Sequence, residues 1–243
     1  MELRTFTSEA TAAAAAAERL STAFTARAGA PILFLSAGGS ALALLEYVDD
    51  SILASHVTIG VSDERFSIEE EVNNFAQLAA TNFYQRAQRR GVLWIDTRLK
   101  TGETQAALAE RFDSALKTWR AQHSHGAVLI TQGIGADGHT AGIMPFPEHP
   151  ARFAELFENP QRWAVDYDAS AQKNAYPLRV TATLVFLRGQ VAQSIAYAVG
   201  EEKRNALRAV VAKEGALAHT PARVLREMQH AVLFTTVSGL RVE

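Results

Sequence analysis

The chain lacks three features that would point to particular classes of protein: cysteine, a charge bias and a long apolar run. With no cysteine among 243 residues, disulfides and cysteine-ligated metal sites are excluded, which fits a reducing compartment. The 24 lysines and arginines nearly balance the 26 aspartates and glutamates, so no overall positive charge attracts nucleic acid. The run Ala12–Ala17 is far too short to cross a membrane, and Glu2, Glu9 and Glu18 do not suit a signal or transit peptide. We therefore expect a cytoplasmic protein that binds neither nucleic acid nor membranes.

The hydrophobic residues, 48% of the total, are numerous enough to bury a sizeable core. Their pattern predicts strands that alternate with helices along most of the chain. The predicted strands are 31–36, 57–61, 92–95, 127–131, 163–167, 179–183, 194–199 and 231–235, and the predicted helices are about 8–27, 40–48, 73–89, 103–121 and 201–212. Such alternation is typical of parallel strands joined by right-handed crossovers. We expect an α/β fold with three layers, α/β/α, a mostly parallel twisted sheet of Rossmann-like topology, and one domain over residues 1–243.

The most informative segment is 133–145, which contains four glycines and a single histidine, His139. It follows the predicted buried strand 127–131, and its glycines, Gly135 among them, allow the backbone to lie close to a bound molecule. A strand, a glycine-rich loop and a helix start in succession suit anion binding. A histidine in such a loop can act as a base near neutral pH. The segment therefore predicts a site with both a base and an anion-binding backbone.

Two other polar segments, 36–40 and 62–65, also follow predicted strands directly. Because ligands bind beyond the carboxyl ends of parallel strands, we expect these segments to meet the 133–140 loop at one edge of the sheet. The backbone amides of Gly38, Gly39 and Ser40 would lie at a helix start and suit a phosphate group. Arg65 is the natural charge partner for that phosphate.

Three motifs together resemble the signatures of the 6-phosphogluconolactonase family, within the wider superfamily of sugar-phosphate isomerases and lactonases. They are Gly38-Gly39-Ser40, Asp63-Glu64-Arg65 and the Gly-x-Gly-x-Asp-Gly-His-Thr sequence at 133–140. Weaker matches at 179–183, 200–203 and 221–223 extend the resemblance over about residues 8–235. The resemblance implies that the substrate is a small phosphosugar lactone. It leaves the oligomeric state unknown.

The resemblance also implies roles for individual residues. His139 would be the general base that takes a proton from water as the water attacks the lactone carbonyl. Asp137 would either orient the imidazole or shape the loop, and Asp63 would either position the water or cap a turn. Lys203 and Arg179 would join Arg65 at the phosphate end. No histidine–carboxylate cluster stands out as a metal site, so we expect no metal and no cofactor.

The chain departs from the family pattern in its first loop, where Ala41-Leu42 replaces the usual Thr-Pro. The change removes one hydroxyl that could donate to a phosphate, although the backbone amides of the loop remain. After the Asp-Glu-Arg segment, Phe66-Ser-Ile-Glu and Asn73-Asn74 stand where the family carries Val-Pro and Ser-Asn. These departures bear on substrate affinity more than on the chemistry.

Two alternative functions are considered beside lactone hydrolysis. Glucosamine-6-phosphate deaminase/isomerases share the Asp-Gly-His core. They carry an acidic residue before the proline, where this chain has Met144, and the segment Asp-Glu-Tyr in place of Asp63-Glu64-Arg65. Aldose–ketose chemistry needs that carboxylate to move protons, so its replacement favours lactone hydrolysis. The other alternative is a non-catalytic sugar-phosphate sensor. The intact His139 and the lack of a spare segment for a DNA-binding module argue against it.

Overall fold

The structure is a computed structural model that describes residues 1–172 and 175–243, with the side chains of these residues apart from Ser40 and Gln172. Its main sheet has seven strands, and every neighbouring pair is parallel. The strands, in spatial order, are β1 (Glu2–Thr5), β10 (Ala231–Thr235), β9 (Val191–Tyr197), β6 (Ala127–Gly133), β2 (Ile32–Ser36), β3 (Val57–Val61) and β5 (Leu93–Trp94). The predicted α/β fold with a mostly parallel sheet is confirmed.

A second, smaller sheet holds the strands predicted at 163–167 and 179–183, which therefore lie outside the parallel sheet. It contains β4 (Asp63–Arg65), β8 (Leu178–Ala182) and β7 (Ala164–Asp168), all antiparallel to their neighbours. The link between β7 and β8 is too short to hold a crossover helix, and parallel strands require one of a dozen residues or more. The two strands therefore pair as a hairpin, and β4 extends the pair on the other side.

The helices lie on both faces of the main sheet. They are α1 (Glu9–Thr25), α2 (Asn74–Ala79), α3 (Asn82–Arg89), α4 (Gln105–Gln122), α5 (Pro150–Phe157), α6 (Leu184–Gln190) and α7 (Arg204–Val211). Ser8 caps α1, since its side chain accepts a hydrogen bond from the Thr11 amide. The single helix expected over 73–89 is two helices, because Thr81 caps a new one by accepting from the Tyr84 amide.

Other short elements differ from the expectations. The segment Gly39–Tyr47 forms a 3-10 helix rather than an α-helix. The helix expected over 201–212 begins with a 3-10 turn, Glu201–Lys203, and continues as α7. The strands β1 and β4 and the helices α5 and α6 were not predicted.

Two hydrophobic clusters cover the two faces of the main sheet. Successive side chains of a strand point to opposite faces, and β2 shows this directly. Ile32 and Phe34 pack into one cluster with α1, whereas Leu33 and Leu35 pack into the other with α4. This burial on both faces fixes the sheet between two helical layers and leaves the strand ends to carry the polar loops. Within the described residues, no helix is both long and apolar enough to span a bilayer.

Candidate active site

A cleft of about 550 Å³ lies at the carboxyl ends of the central strands. The 36–40, 62–65 and 131–140 segments, which the topology predicts to converge, all contribute to its wall. The lining includes nine of the ten residues proposed from the sequence: Gly38, Gly39, Asp63, Arg65, Gly135, Asp137, His139, Arg179 and Lys203. The tenth, Ser40, lies in the helix that begins at Gly39, and its side chain is outside the described part of the structure.

His139 and Asp137 form a hydrogen-bonded pair in the loop after β6. The imidazole Nδ1 lies 2.6 Å from Asp137 Oδ1, and the same oxygen accepts from the His139 amide at 3.1 Å. Burial acts to raise the pKa of Asp137, but the hydrogen bonds and charge of His139 bring that pKa below its ordinary value. An ionised carboxylate only accepts, so Nδ1 carries the proton and Nε2 is left as the basic nitrogen.

Gly135 lies directly against the imidazole of His139. A Cβ atom at this position would overlap Nδ1 and Cε1 of His139 and lie 2.5 Å from Asp137 Oδ1. The Gly135 amide also donates to the His139 carbonyl at 3.0 Å, which closes the turn between the two residues. The absence of a side chain at Gly135 therefore sets the position of the ring.

The loop continues through a left-handed turn that two buried hydroxyls hold in place. Ala141 has φ 47°, an uncommon value for a residue with a Cβ atom. Thr181 donates to the carbonyl of Ala141, and Tyr167 donates to that of Gly142 at 2.5 Å. Burial raises the pKa of the Tyr167 hydroxyl, which keeps it a donor. Both hydroxyls come from the small sheet, so that sheet clamps the histidine loop.

The small sheet also presents the charged residues of the site on one face. Asp63 lies opposite Thr181, and Arg65 lies opposite Arg179. Residues directly opposite each other, and those two apart, share a face of a sheet, so Asp63, Arg65 and Arg179 point the same way. Asp63 and Arg179 are 7% and 5% exposed, and their charged groups approach to 3.9 Å.

Two other cations of the cleft form no salt bridge with any described residue. The Arg65 guanidinium lies 5.5 Å from the centre of the Tyr176 ring, and its buried Nε has no acceptor in the described part of the chain. Lys203 donates from Nζ to the Ile134 carbonyl at 2.5 Å, which leaves two ammonium hydrogens for other acceptors. The cleft therefore holds positive charge that the described residues do not neutralise, and this charge suits an anionic ligand.

The first glycine loop brings a helix start to the cleft. Gly38 is the residue before the 3-10 helix, and no side chain caps that helix. Gly39 has φ 64°, a left-handed conformation that favours glycine. The first amides of a helix lack partners within it, so this end offers donors to an anion.

Glu64 fixes the strand that carries Asp63 and Arg65. Its carboxylate is 1% exposed and accepts four hydrogen bonds. The donors are the amides of Arg65 (2.8 Å), Asn74 (2.6 Å) and Phe75 (3.1 Å) and the hydroxyl of Thr97 (2.8 Å). The carboxylate thus joins β4 to the first turn of α2. No sequence pattern marks Glu64 for this role.

The stability of the fold is expected to depend on pH through Glu64. Burial raises its pKa from 4.5 to about 7, even though the four hydrogen bonds act in the opposite direction. The folded state therefore binds this proton more tightly than the unfolded chain does, and the stabilisation is lost as pH rises from 4.5 through 7. The free energy of unfolding of the wild type, minus that of Glu64→Gln, should fall by roughly 2–3 kcal/mol between pH 5 and pH 8. Urea unfolding of both proteins measures this difference, and a value independent of pH would contradict it.

Several residues that line or support the cleft have no role in the sequence analysis. Tyr167 and Thr181 lie on the strands predicted at 163–167 and 179–183, but no local pattern marks them as loop supports. Tyr176 follows residues 173–174, which the structure does not describe, and it stacks near Arg65. Asn74 entered the sequence comparison only as part of Asn73-Asn74, which stands where the family carries Ser-Asn, yet it lines the cleft.

Comparison with known proteins agrees with this architecture. The model of the family described as glucosamine-6-phosphate isomerases/6-phosphogluconolactonase matches residues 6–234. Among solved structures, the 6-phosphogluconolactonase of Shewanella baltica is 21% identical with a TM-score of 0.74, and the alignment covers 97% of each chain. That of Leishmania guyanensis is 19% identical with a TM-score of 0.73, covering 99% of this chain and 98% of its own.

A monomeric glucosamine-6-phosphate deaminase is also similar, at 14% identity and a TM-score of 0.72. The alignment covers 99% of this chain and 100% of the deaminase. No curated protein sequence matches the chain. At these identities the solved structures show a shared fold. The family model, which spans almost the whole chain, shows more: this protein belongs to the family of glucosamine-6-phosphate isomerases and 6-phosphogluconolactonases.

Proposed function

We propose that the protein hydrolyses 6-phosphoglucono-δ-lactone to 6-phosphogluconate, a step of the pentose phosphate pathway, in the cytoplasm. One observation carries the proposal: a histidine oriented by a carboxylate shares a cleft with cations that form no salt bridge with the described residues. The pair supplies a base for water, and the cations suit the phosphate of the substrate. The substrate is a small molecule, and the reaction requires no cofactor, nucleic acid or membrane.

In the proposed reaction His139 Nε2 takes a proton from a water molecule as the water oxygen bonds to the C1 carbonyl carbon. The carbonyl electrons move to its oxygen, and donors in the cleft stabilise the resulting negative charge. As the tetrahedral intermediate collapses, the bond between C1 and the ring oxygen breaks. The imidazolium returns its proton to that oxygen, which becomes a hydroxyl, and the product is the open-chain acid.

Asp137 keeps the imidazole in the tautomer that this sequence of steps requires. Its bond to Nδ1 places the ring proton there and leaves Nε2 free to accept. When the ring becomes an imidazolium, the adjacent carboxylate also stabilises the positive charge. These contacts support a role for Asp137 in orienting the base, which is one of the two roles left open by the sequence. Asp63, held by Ser62, Asn74 and Arg179, orients the cationic face instead of acting as a second base.

The phosphate group is assigned to the cations and to the start of the 3-10 helix. Arg65 and Lys203 have hydrogens to donate, and Arg179 extends the positive face that β4 and β8 share. The amides of Gly38, Gly39 and Ser40 add neutral donors at a helix end. Together they would neutralise a phosphate dianion more completely than one side chain does.

Glucosamine-6-phosphate deamination is the alternative within the same family. The similar fold of a deaminase does not decide between the two, because its TM-score of 0.72 is close to the 0.73 of a lactonase structure. The position before Pro145 favours the lactonase: Met144 lines the cleft where deaminases carry a carboxylate. The described lining contains two carboxylates, Asp63 and Asp137, and both are bound to other side chains.

Two assays on the purified protein test the proposal. Freshly prepared 6-phosphoglucono-δ-lactone is hydrolysed in the presence and absence of protein, and the spontaneous rate is subtracted. Deamination of glucosamine-6-phosphate is measured beside it. We expect hydrolysis well above the spontaneous rate and no ammonia release. Ammonia release without lactone hydrolysis would overturn the proposal in favour of the deaminase.

Replacing Arg65 or Lys203 with alanine is expected to raise KM for the phosphorylated lactone by roughly 10- to 100-fold. Each contact between a cation and phosphate contributes on the order of 1.5–3 kcal/mol. Unphosphorylated glucono-δ-lactone should be affected little, because it lacks the group that these residues hold. The measurement is the ratio of kcat/KM for the two lactones in each variant.

Lys213→Ala, which removes an exposed lysine away from the cleft, is the matched control and should leave that ratio unchanged. An equal loss for both lactones in the Arg65 and Lys203 variants would place these residues in the chemistry or the fold rather than at the phosphate.

A further inference from the structure

Asn74 is a buried polar side chain that faces the cleft and that the proposed reaction does not use. It lies in the first turn of α2 and is 2% exposed. Its Nδ2 donates to the Asp63 carbonyl at 2.9 Å and lies 3.2 Å from Asp63 Oδ2. Both groups only accept, so the amide nitrogen must face them. The orientation of the amide is thereby fixed.

The other end of the amide, Oδ1, points towards the first glycine loop. A Cβ atom on Gly38 would overlap this oxygen, so only a glycine leaves room for it. No described residue donates a hydrogen bond to Oδ1, although the atom is buried. Burying an acceptor without a donor is costly, and such groups in folded proteins normally have a partner. Asn74 thus lines the cleft and carries an acceptor to which no described residue donates.

We propose that Asn74 Oδ1 accepts a hydrogen bond from a ring hydroxyl of the substrate, which makes Asn74 a specificity-determining residue. The proposal rests on the proposed function and adds the recognition of the polyol part of the lactone. A phosphate dianion offers only acceptors and cannot satisfy Oδ1, whereas a hydroxyl can donate to it. The cations hold one end of the substrate, and Asn74 selects for hydroxyls on its ring.

The test compares 6-phosphoglucono-δ-lactone with its 2-deoxy, 3-deoxy and 4-deoxy analogues in wild type and Asn74→Ala. In the wild type, loss of the recognised hydroxyl should lower kcat/KM roughly 10-fold, because the buried oxygen is then left without a donor. In Asn74→Ala the same deoxy substitution should lower kcat/KM by less than about 2-fold, since Oδ1 is no longer there to lose its donor. For the other deoxy analogues, kcat/KM should fall by the same factor in the wild type and in Asn74→Ala.

Asn74 also holds Asp63, so a matched variant must separate the two contacts. Ser62→Ala removes the other hydrogen bond to Asp63, that from Ser62 Oγ to Oδ1 at 3.0 Å, and leaves Asn74 intact. It should keep the 10-fold discrimination against the deoxy lactone even if its overall rate falls. Asn74→Ser, whose shorter side chain does not reach Gly38, is the second variant if Asn74→Ala fails to fold. It should lose the discrimination as Asn74→Ala does.

The outcomes separate this inference from the proposed function. If the wild type hydrolyses the full lactone but every deoxy analogue loses the same factor in wild type and Asn74 variants, the inference is overturned and the proposed function stands. If the wild type hydrolyses no lactone, the proposed function fails. Calorimetric titration with 6-phosphogluconate and its deoxy counterparts then decides the inference. A hydroxyl-dependent affinity that disappears in the Asn74 variants supports it, and equal affinities overturn it.

Discussion

Replacing His139 with alanine is expected to lower kcat for 6-phosphoglucono-δ-lactone hydrolysis by about 10²–10⁴-fold, the usual contribution of one acid–base group. The imidazole is the group in the described lining whose second nitrogen is left basic by a carboxylate partner. Without it, water must attack the carbonyl with no base at hand, while the cations proposed to bind phosphate are unchanged. KM should therefore change much less than kcat.

His149→Ala is the control for this substitution. His149 is exposed at the start of α5, and its side chain makes no capping hydrogen bond there. Its removal should leave kcat within about 2-fold of the wild type, as is usual for surface substitutions away from a site. A well-folded His139→Ala protein with unchanged turnover would remove His139 from the mechanism.

Gly135→Ala is the second substitution with a large expected effect, although it adds only one methyl group. That methyl would occupy the space of His139 Nδ1 and Cε1, so the ring or the turn must move. A displacement of about 1 Å in a catalytic group can cost on the order of 10²-fold in rate. We expect kcat to fall by about that factor. Circular dichroism and the melting temperature should show a folded protein.

Gly189→Ala provides the comparison, because a Cβ atom there meets nothing within 4 Å and the residue lies in α6, outside the cleft. Its kcat should equal that of the wild type. Full activity in Gly135→Ala would mean that the His139 ring can move without loss of rate, despite its close packing against Gly135. The assignment of His139 as a tightly positioned base would then be wrong.

The sequence predicts the edge of the sheet where the cleft lies. Strands β2, β3 and β6 are short apolar runs followed at once by Gly38, Asp63 and Gly133, and the carboxyl ends of parallel strands meet at one edge. The glycines and the single histidine of the 133–145 segment are local signals as well. These features need no knowledge of distant contacts, which is why sequence reasoning reaches them.

The residues that hold the site in place could not be predicted from the sequence. These residues act through hydrogen bonds to residues distant in sequence, as Tyr167, Thr181 and Asn74 show. No local sequence pattern indicates such contacts. Strand β4 has three residues and forms only because β8 pairs with it. The antiparallel direction of the small sheet depends on the short link before β8, which alternation of strands and helices does not reveal.

The pairing of β4 with β8 has a consequence for how the protein acquires activity as it folds. Strand β4 ends at Arg65 and β8 begins at Leu178, so their contact closes a long loop and is costly in entropy until the main sheet holds both ends together. Contacts between residues so distant in sequence are slow to form. The alignment of Arg65 with Arg179 depends on that contact. A partly folded chain can thus contain the central strands of the main sheet and their helices and still have no enzyme activity.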